Sequence, residues 1–253
     1  MAKSKLKLFI QQYILKNRVS SDDVLNNLRK GGAQIGKDVL IYSTGRTMID
    51  ASSPYLLTIG DHVRITEGVK ILTHDYSWSV LKWHASDEIQ PGAVLGAQSP
   101  VTIGSNVFIG MNTIITRGVT IGDMVVIGAG SIVTKDCPSY GVYAGNPARR
   151  IMGIEEYYRK RQALQFSEAR EIALRYRQRM GKIPPVEIFS EYFQLFFTAD
   201  EARKIPTFLA QMGRMDNLDA TIRYMEDHPP RFPGYDAFLA ACYQEEDSGR
   251  QEA

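Results

Sequence analysis

Cysteine is scarce in this sequence, and long apolar runs are absent. The two cysteines, Cys137 and Cys242, cannot form the disulfide framework of a small secreted protein, which indicates a reducing compartment. No stretch reaches the ~18 consecutive apolar residues of a membrane-spanning helix. The basic N-terminus becomes apolar, but Gln11 and Gln12 interrupt it before it resembles a signal-peptide core. We therefore expect a cytoplasmic protein without an integral membrane segment, either free or peripheral to the inner face of the membrane.

The composition is otherwise that of an ordinary globular protein. Of the 253 residues, 44% are hydrophobic and 23% are charged, which excludes a disordered chain. The net charge of +2 conceals four regions: residues 1–46 carry +6, residues 47–145 carry −3, residues 146–182 carry +6 and residues 183–253 carry −7. Basic and aromatic residues are not interleaved, so no nucleic-acid partner is expected. The second basic region presents either solvated helix faces or a surface that meets phosphate groups.

The strongest pattern is an internal repeat with a step of six residues. An aliphatic residue recurs at Ile103, Ile109, Ile115, Ile121, Ile127 and Val133. Four places after each of these comes a smaller residue: Val107, Thr113, Val119, Val125, Ser131 and Cys137. The same step occurs earlier at Ile59, Ile65 and Ile71, with a weaker start at Ile35 and Ile41.

A step of six fits neither the helix period of 3.6 nor the strand period of two. It fits a short strand followed by a turn, laid down as one side of a triangular coil. Three sides form one coil of eighteen residues, in which the aliphatic side chains point inward and stack on those of the next coil. The repeat therefore predicts a parallel β-helix.

These repeats resemble the hexapeptide-repeat acyltransferases. The similar segments are LTIGDHVRITEGVKILTHD, VTIGSNVFIGMNTIITRGVTIGDMVVIGAGSIVTKD and AGNPARRI, within residues 30–153. The resemblance is strongest to the maltose and galactoside O-acetyltransferase branch and to capsule or lipopolysaccharide O-acetyltransferases. It implies a mainly β fold built on a left-handed parallel β-helix prism, and a homotrimer with its active sites between subunits.

Four regions are expected along the chain. They are an N-terminal helical cap at 1–31, the β-helix at 32–153 with an extruded loop at 75–100, an α-helical C-terminal domain at 154–243 and a disordered tail at 244–253. Within the C-terminal domain, composition and capping patterns predict helices at 154–180, 186–197, 199–212 and 216–227. That domain is either a packing appendage or a module that recognises the acceptor or a partner.

His74 is the candidate catalytic residue. It ends the coil at Leu72-Thr73-His74-Asp75, and in the resembling family the histidine at this place is the general base. Acyl transfer needs such a group, titrating near neutral pH, to take the proton from an acceptor hydroxyl. The group that orients the imidazole is left open among Asp75, Glu67, Asp50 and a backbone carbonyl.

The acceptor is expected at the loop that follows His74. This loop holds two tryptophans and a histidine, and aromatic rings suit stacking on a sugar. The candidate acceptor residues are Asp50, Asp75, Trp78, Trp83 and His84.

The resemblance also implies a donor site for acetyl-CoA. Its groove contacts carry over to Met111 and Ala129, and its phosphate contacts to Thr134, Lys135 and Arg149. Met111 stands where galactoside acetyltransferase has serine, so that contact must be apolar or through the backbone. Met152 replaces a further arginine, for which Arg150 is the expected substitute.

These features together predict an acetyl-CoA-dependent O-acetyltransferase that acts on a sugar hydroxyl of a surface polysaccharide or its precursor. No serine lies in a GxSxG elbow and Cys137 takes an inward position, so the hydroxyl is expected to attack the thioester directly. The alternatives are an N-acetyltransferase of a nucleotide-linked amino sugar or other small amine, and a non-catalytic β-helix scaffold. A β-helical zinc lyase is disfavoured because His62, His74 and His84 have spacings of twelve and ten, which do not superpose on coils of eighteen. No metal is therefore expected.

Overall fold

The computed structural model describes residues 19–250, and the side chains of residues 19–244. The chain divides into two compact units between Tyr157 and Tyr158. The sequence analysis sets this boundary at residue 153. The part of the expected N-terminal cap that precedes residue 19 lies outside the described residues. Among the helices that are described, none combines the length and the apolar character that crossing a membrane requires.

The described part of the first unit, from residue 19 onward, contains a helix followed by short strands. The helix is α1 (Ser21–Lys30). The strands are β1 (Gln34–Ile35), β2 (Leu40–Ile41), β3 (Met48–Ile49), β4 (Leu57–Ile59), β5 (Arg64–Ile65), β6 (Lys70–Ile71), β7 (Val101–Ile103), β8 (Phe108–Ile109), β9 (Ile114–Ile115), β10 (Thr120–Ile121), β11 (Val125–Ile127), β12 (Ile132–Val133), β13 (Gly141–Ala144) and β14 (Arg149–Gly153).

These strands stack on three faces. Face 1 has the order β1-β4-β7-β10, face 2 has β14-β13-β11-β8-β5-β2, and face 3 has β12-β9-β6-β3. Neighbouring strands are parallel except for β13 and β14, which are antiparallel. The chain visits the three faces in turn, and each circuit is one coil. This stacking confirms the predicted parallel β-helix and agrees with its predicted left hand.

The six-residue step forms the core of the β-helix. The pairings Ile59 with Ile103 and Ile65 with Ile109 place an aliphatic side chain directly above its equivalent in the neighbouring coil. All four side chains are at most 2% exposed. Full burial of each contributes about 1.5–3 kcal/mol through the hydrophobic effect. The inward column, rather than the two- or three-residue strands, therefore holds the coils together.

Loss of one inward side chain should destabilise the whole stack. We expect Ile121→Ala, which removes a fully buried side chain, to lower the free energy of unfolding by about 2–5 kcal/mol. Its neighbour Thr120 is exposed on the same strand, so Thr120→Ala is the matched control. This change should alter the free energy of unfolding by less than about 0.5 kcal/mol. Urea denaturation measures both values, and equal effects would contradict the inward-column account.

The first coil departs from the six-residue step. Ile49 follows Ile41 by eight residues, and a 3₁₀ helix at Pro54–Leu56 lengthens the next corner. A much longer insertion, the loop 75–100, separates β6 from β7 and contains a 3₁₀ helix at Ser77–Trp83. The insertions occupy corners, so the registers of the strands on either side stay intact.

α1 covers the open end of the first coil. Ser20 and Asp23 form a reciprocal capping box at its start, which satisfies the first free N–H groups. Leu25 and Leu28 are buried and belong to the same apolar core as the coils. This amphipathic helix therefore shields the inward column from water, as expected for a cap.

The second unit is helical and has its own aromatic core. Its helices are α2 (Ile154–Met180), which begins in the first unit, α3 (Ala199–Ala202), α4 (Pro206–Met212), α5 (Leu218–Asp227) and α6 (Tyr235–Arg250). Short 3₁₀ helices occur at Val186–Phe189, Phe193–Leu195 and Arg214–Asp216. Four fully buried phenylalanines centre the core: Phe189, Phe196, Phe208 and Phe238.

Three predicted helical boundaries differ from the structure. The expected helix 186–197 consists of two 3₁₀ segments, because a run of β-branched and aromatic residues has low helix propensity. The expected helix 199–212 is interrupted before Pro206, which lacks an N–H and starts a new helix instead. Finally, α6 continues as far as Arg250 into the expected disordered tail, whose Gln and Glu residues favour helix.

Candidate active site

The candidate site is built on one edge of the β-helix. We call the corners between the faces edge 1–2, edge 2–3 and edge 3–1, in the direction of the chain. Edge 3–1 carries residues 50–56 in the first coil, His74 and the loop 75–100 in the second, residues 116–119 in the third and residues 134–136 in the fourth. Because coils stack in register, residues far apart in sequence lie on neighbouring levels of this edge.

His74 forms an ion-pairing hydrogen bond with Asp50 of the coil below. The Nδ1 atom of His74 meets the Oδ2 atom of Asp50, and the Ser52 Oγ lies 3.3 Å from the same Nδ1. The side chain of His74 is 30% exposed, whereas that of Asp50 is only 6% exposed. The imidazole is thus anchored on its inner side, and its outer side remains accessible to a substrate.

Asp50 is held by several other donors. The backbone N–H and the hydroxyl of Thr73 donate to Oδ2 over 3.2 and 2.6 Å, and those of Ser52 donate to Oδ1 over 2.9 and 2.7 Å. Burial raises the pKa of Asp50, but the hydrogen bonds from Thr73, Ser52 and His74 outweigh it and hold the pKa well below its usual range. Asp50 is therefore an anion at neutral pH.

This arrangement selects one tautomer of neutral His74. An ionised carboxylate only accepts hydrogen bonds, so Nδ1 carries the proton that is donated to Asp50. The other ring nitrogen, Nε2, is then left as an acceptor. A histidine in this state can take a proton at Nε2 and, once charged, is stabilised by the carboxylate behind it.

Asp75 and Glu67 do not contact His74. The carboxylate of Asp75 accepts hydrogen bonds from Ser77 and, over 2.8 Å, from Nε of Arg117 in the next coil. These contacts hold the pKa of Asp75 well below its usual range. Glu67 pairs with Arg46. Of the orienting groups that the sequence left open, the structure thus brings Asp50 to the imidazole.

Asp75 instead fixes the base of the loop. Its backbone N–H donates to the carbonyl of Ala97 over 3.0 Å, and that of Ser99 donates to the carbonyl of Thr73 over 3.0 Å. The two ends of the loop are therefore held together beside His74, and we call this paired base, at residues 73–75 and 97–99, the neck of the loop. The Asp75–Arg117 pair links the neck to the third coil.

We expect the Asp75–Arg117 pair to position the loop. Asp75→Ala and Arg117→Ala should each weaken acceptor binding, seen as a rise in KM of about twofold to fivefold, because a half-exposed ion pair contributes little. The double variant should be no worse than either single one, since both changes remove the same contact. Steady-state kinetics tests this, and additive effects would contradict it.

Aromatic rings extend from His74 into the loop. The ring of Tyr76 lies edge-on to the imidazole at a centroid distance of 5.4 Å, and Trp78 lies 5.9 Å beyond Tyr76. Trp83 is 92% exposed and His84 is exposed beside it. Trp78 is thus close to the base through Tyr76, whereas Trp83 and His84 are not in contact with it.

The predicted donor residues lie on different edges of one chain. Met111 and Ala129 are exposed on edge 2–3 of adjacent coils, where the N–H of Gly130 donates to the carbonyl of Met111 over 2.7 Å. Thr134 and Lys135 are exposed on edge 3–1, the edge of His74. The two pairs are separated by face 3, so a single chain does not bring them together.

The two predicted arginines also diverge. Residues 145–148 pack over β12 through backbone hydrogen bonds with Ile132, which leaves Arg149 exposed next to edge 2–3. Arg150 instead directs its guanidinium to the carbonyl of Tyr140, over 3.3 Å, on edge 1–2. Arg150 therefore does not join Met111, Ala129 and Arg149.

Cys137 is buried in the core, and desolvation raises the pKa of its thiol to about 11, which makes it a poor nucleophile. Among the side chains of residues 19–244, no three from His, Cys, Asp or Glu converge as a metal site would require.

Three residues that contribute to the site were not assigned a role from the sequence: Ser52, Thr73 and Arg117. The first two are short hydroxyl residues in turns, and Arg117 occupies a corner that usually faces solvent. Strand register could have identified Ser52 and Thr73, because the pairing of Met48-Ile49 with Lys70-Ile71 places residues 50–52 beneath residues 72–74. The irregular spacing of the first coil obscured this register in the sequence.

Comparison with known proteins agrees with this fold. A family profile described as the hexapeptide repeat of succinyl-transferase matches residues 100–135. Protein CapG of Staphylococcus aureus is 44% identical over 155 residues, which is 61% of this chain and 81% of CapG. The galactoside O-acetyltransferase of Escherichia coli K12 is 42% identical over 102 residues, 40% of this chain and 46% of that protein, so the chain spans less than half of it.

Among solved structures, a maltose O-acetyltransferase from Clostridium difficile 630 is 30% identical, with a TM-score of 0.39, and the match covers 60% of this chain and 87% of that one. The extent and identity of the match to CapG carry the assignment. The chain belongs to the hexapeptide-repeat acetyltransferase family.

Proposed function

We propose that this protein transfers an acetyl group from acetyl-CoA to a sugar hydroxyl of a surface polysaccharide or of its precursor. The observation that carries the proposal is the His74–Asp50 pair, accessible at Nε2 beside the neck of the loop. The names of two relatives support a carbohydrate acceptor: one is a galactoside O-acetyltransferase and another a maltose O-acetyltransferase.

His74 acts as the general base and then as the general acid. Its Nε2 takes the proton of the acceptor hydroxyl as the oxygen attacks the thioester carbonyl. The tetrahedral intermediate collapses with cleavage of the carbon–sulfur bond, and the imidazolium returns the proton to the departing sulfur of CoA. Asp50 stabilises the imidazolium between these steps, as an anion already held in place. No covalent acyl-enzyme forms, in keeping with the inert thiol of Cys137.

The acceptor sugar lies against the aromatic residues of the loop. Tyr76 adjoins His74 and Trp78 adjoins Tyr76, so a sugar ring stacked on Tyr76 would present a hydroxyl to the imidazole. Asp75 is committed to Arg117 and shapes the neck of the loop instead of contacting the acceptor. Asp50 likewise faces inward and acts through His74.

Acetyl-CoA binds between two subunits of a homotrimer. In one chain, Met111, Ala129 and Arg149 lie at edge 2–3, while His74 and Lys135 lie at edge 3–1. Prisms standing side by side would bring edge 3–1 of one subunit to edge 2–3 of the next. The pantetheine arm then follows the groove, and the exposed cations meet the phosphates of CoA.

The test is release of CoA from acetyl-CoA with a panel of neutral sugars, amino sugars and nucleotide sugars, with the product located by NMR. We expect O-acetylated sugar, and a mass of three chains by light scattering. Product acetylated at nitrogen would favour the N-acetyltransferase alternative. Failure to bind acetyl-CoA would favour the scaffold alternative, and either result overturns the proposal.

A further inference from the structure

The helical unit contains a cleft of about 690 Å³, a volume typical of small-ligand sites, which run from about 300 to 1,000 Å³. α2, α5 and the segment between Phe189 and Phe196 line it, all within residues 158–253. No residue of the proposed acetyl-transfer site takes part. The cleft is therefore a separate feature that the chemistry described above leaves unused.

Two helices turn a polar stripe toward this cleft. On α2 the stripe is Tyr158, Arg161, Gln162 and Gln165, and along α5 and its flanks it is Asn217, Ala220, Thr221, Tyr224 and His228. Both stripes have the helical spacing of three and four residues. Helices in a packed unit normally turn an apolar stripe inward. A polar stripe that lines a cleft leaves hydrogen-bonding groups available to a ligand as well as to water.

Aromatic rings in the cleft are already arranged as a platform. The rings of Tyr224 and His228 stack at 4.2 Å with an interplanar angle of 14°, and both residues are exposed. Tyr158 is 52% exposed, and its hydroxyl accepts a hydrogen bond from Gln162 over 2.9 Å. Flat rings with polar edges suit ligands that have an apolar face and polar rim, as pyranose sugars do.

The charges in the cleft are balanced. Arg161 forms a two-pronged ion pair with Glu168, over 2.8 and 2.7 Å, and the guanidinium of Arg231 stacks 4.5 Å from the ring centroid of Phe166. Glu191 adds a negative charge. A phosphate-rich ligand would need cations not already engaged in this way. Amide side chains such as Gln162 and Gln194, which both donate and accept, instead match hydroxyl groups.

We propose that this cleft binds an oligosaccharide segment of the acceptor glycan. The proposal deepens the proposed function and rests on it for the identity of that glycan. A cleft that holds one part of a long chain raises the effective concentration of the remainder at the catalytic histidine of the same protein. The helical unit is then a glycan-binding module.

The test measures binding without acetyl transfer. Full-length protein is titrated with hexasaccharides of glucose, N-acetylglucosamine and galacturonic acid, and with a short single-stranded RNA, by calorimetry and saturation-transfer NMR. We expect at least one hexasaccharide to bind, with an affinity that changes little between 50 and 500 mM salt. Binding by the RNA alone, or by none of the probes, overturns the proposal.

Variants locate the binding. Tyr224→Ala should weaken hexasaccharide binding by about tenfold or more, since the stacking platform is lost, and Gln194→Ala should weaken it less. The matched control is Leu209→Ala, an exposed apolar residue on α4 outside the cleft, which should leave it unchanged. Thermal melts check that each variant is folded. Binding that survives Tyr224→Ala overturns the proposal.

His74→Ala separates this proposal from the proposed function. That variant should bind hexasaccharide as the parent protein does, because His74 is no part of the cleft. If the parent protein bound glycan but transferred no acetyl group, the proposed function would fail and the cleft would stand. If transfer occurred and no hexasaccharide bound, the cleft proposal would fail alone.

Discussion

We expect His74→Ala to lose almost all acetyl transfer and to keep its binding of acetyl-CoA. A general base contributes about a 10²–10⁴-fold rate increase, and the structure offers no second base beside Nε2 within the described residues: Asp75 is paired with Arg117, and Glu67 with Arg46. Turnover should therefore fall by at least about a hundredfold. The residues expected to hold the donor are other side chains, so the dissociation constant of acetyl-CoA should stay within about twofold.

A second His–Asp pair provides the control. His62 and Asp38 are joined through Nδ1 and Oδ2 at 3.1 Å on edge 1–2, with the same one-coil separation as His74 and Asp50. His62→Ala removes a pair of similar geometry at a place without the loop. It should leave turnover unchanged. Equal losses of turnover in His62→Ala and His74→Ala would show that such pairs stabilise the fold. Retained turnover in His74→Ala would exclude His74 as the base.

Asp50→Asn should lower kcat by about 10–10³-fold with little change in KM. An amide can donate to Nδ1, which favours the tautomer that carries its proton on Nε2, where the base needs a lone pair. The amide also lacks the charge that stabilises the imidazolium. Because the side chain of Asp50 is buried behind His74, the loss should appear in kcat.

Asp50→Asn should also change how the stability of the protein depends on pH. The pKa of Asp50 is lowered in the folded protein from an ordinary value of 3.8. Its hydrogen bonds stabilise the folded state above that value, and this contribution, about 1.5–3 kcal/mol for bonds to a charged group, is lost as the pH falls from 3.8 toward the lower folded-state pKa. The parent protein should therefore lose more stability on acidification than Asp50→Asn.

Asp38→Asn is the matched control for the kinetic effect. Burial raises the pKa of Asp38, but Arg64 and His62 outweigh it and lower the pKa, as at Asp50, yet Asp38 lies on edge 1–2. It should alter stability in acid without altering kcat. A kcat for Asp50→Asn equal to that of the parent protein would show that the carboxylate does not orient the base, and a large rise in KM would show that it contacts the acceptor.

The fold of the first unit could be predicted from the sequence because one pattern, the six-residue spacing, repeats along it. Six aliphatic residues at one spacing determined the coils, because each inward position has the same environment in every turn. The orienting carboxylate was harder to choose, since Asp50 lies in the first coil, where Ile49 is displaced from the six-residue step. Asp75 is adjacent to His74 in sequence, but its carboxylate accepts hydrogen bonds from Ser77 and Arg117 instead, so adjacency was a poor guide.

In the helical unit, prediction from the sequence was limited to the positions of some helices. Composition and capping patterns placed α2 and α5 but gave no helix over α6, and Pro206 explains the break between α3 and α4 that composition alone missed. The cleft between α2 and α5 could not be foreseen, because a stripe of Gln, Arg and Tyr on a helix is typical of a solvated surface. Only the packing of Tyr224 on His228 and of Arg231 on Phe166 distinguishes it from one.

Because the long insertions lie at corners, the proposed acceptor site can change in evolution without a change in the fold. The loop 75–100 leaves and rejoins the β-helix through the paired neck at Thr73–Asp75 and 97–99, while the strands on either side keep their register. Its length and sequence can change without moving an inward side chain or the histidine at its base. If the loop holds the acceptor as proposed, exchange of this loop between relatives would change the acceptor specificity and leave the His74–Asp50 pair unaltered.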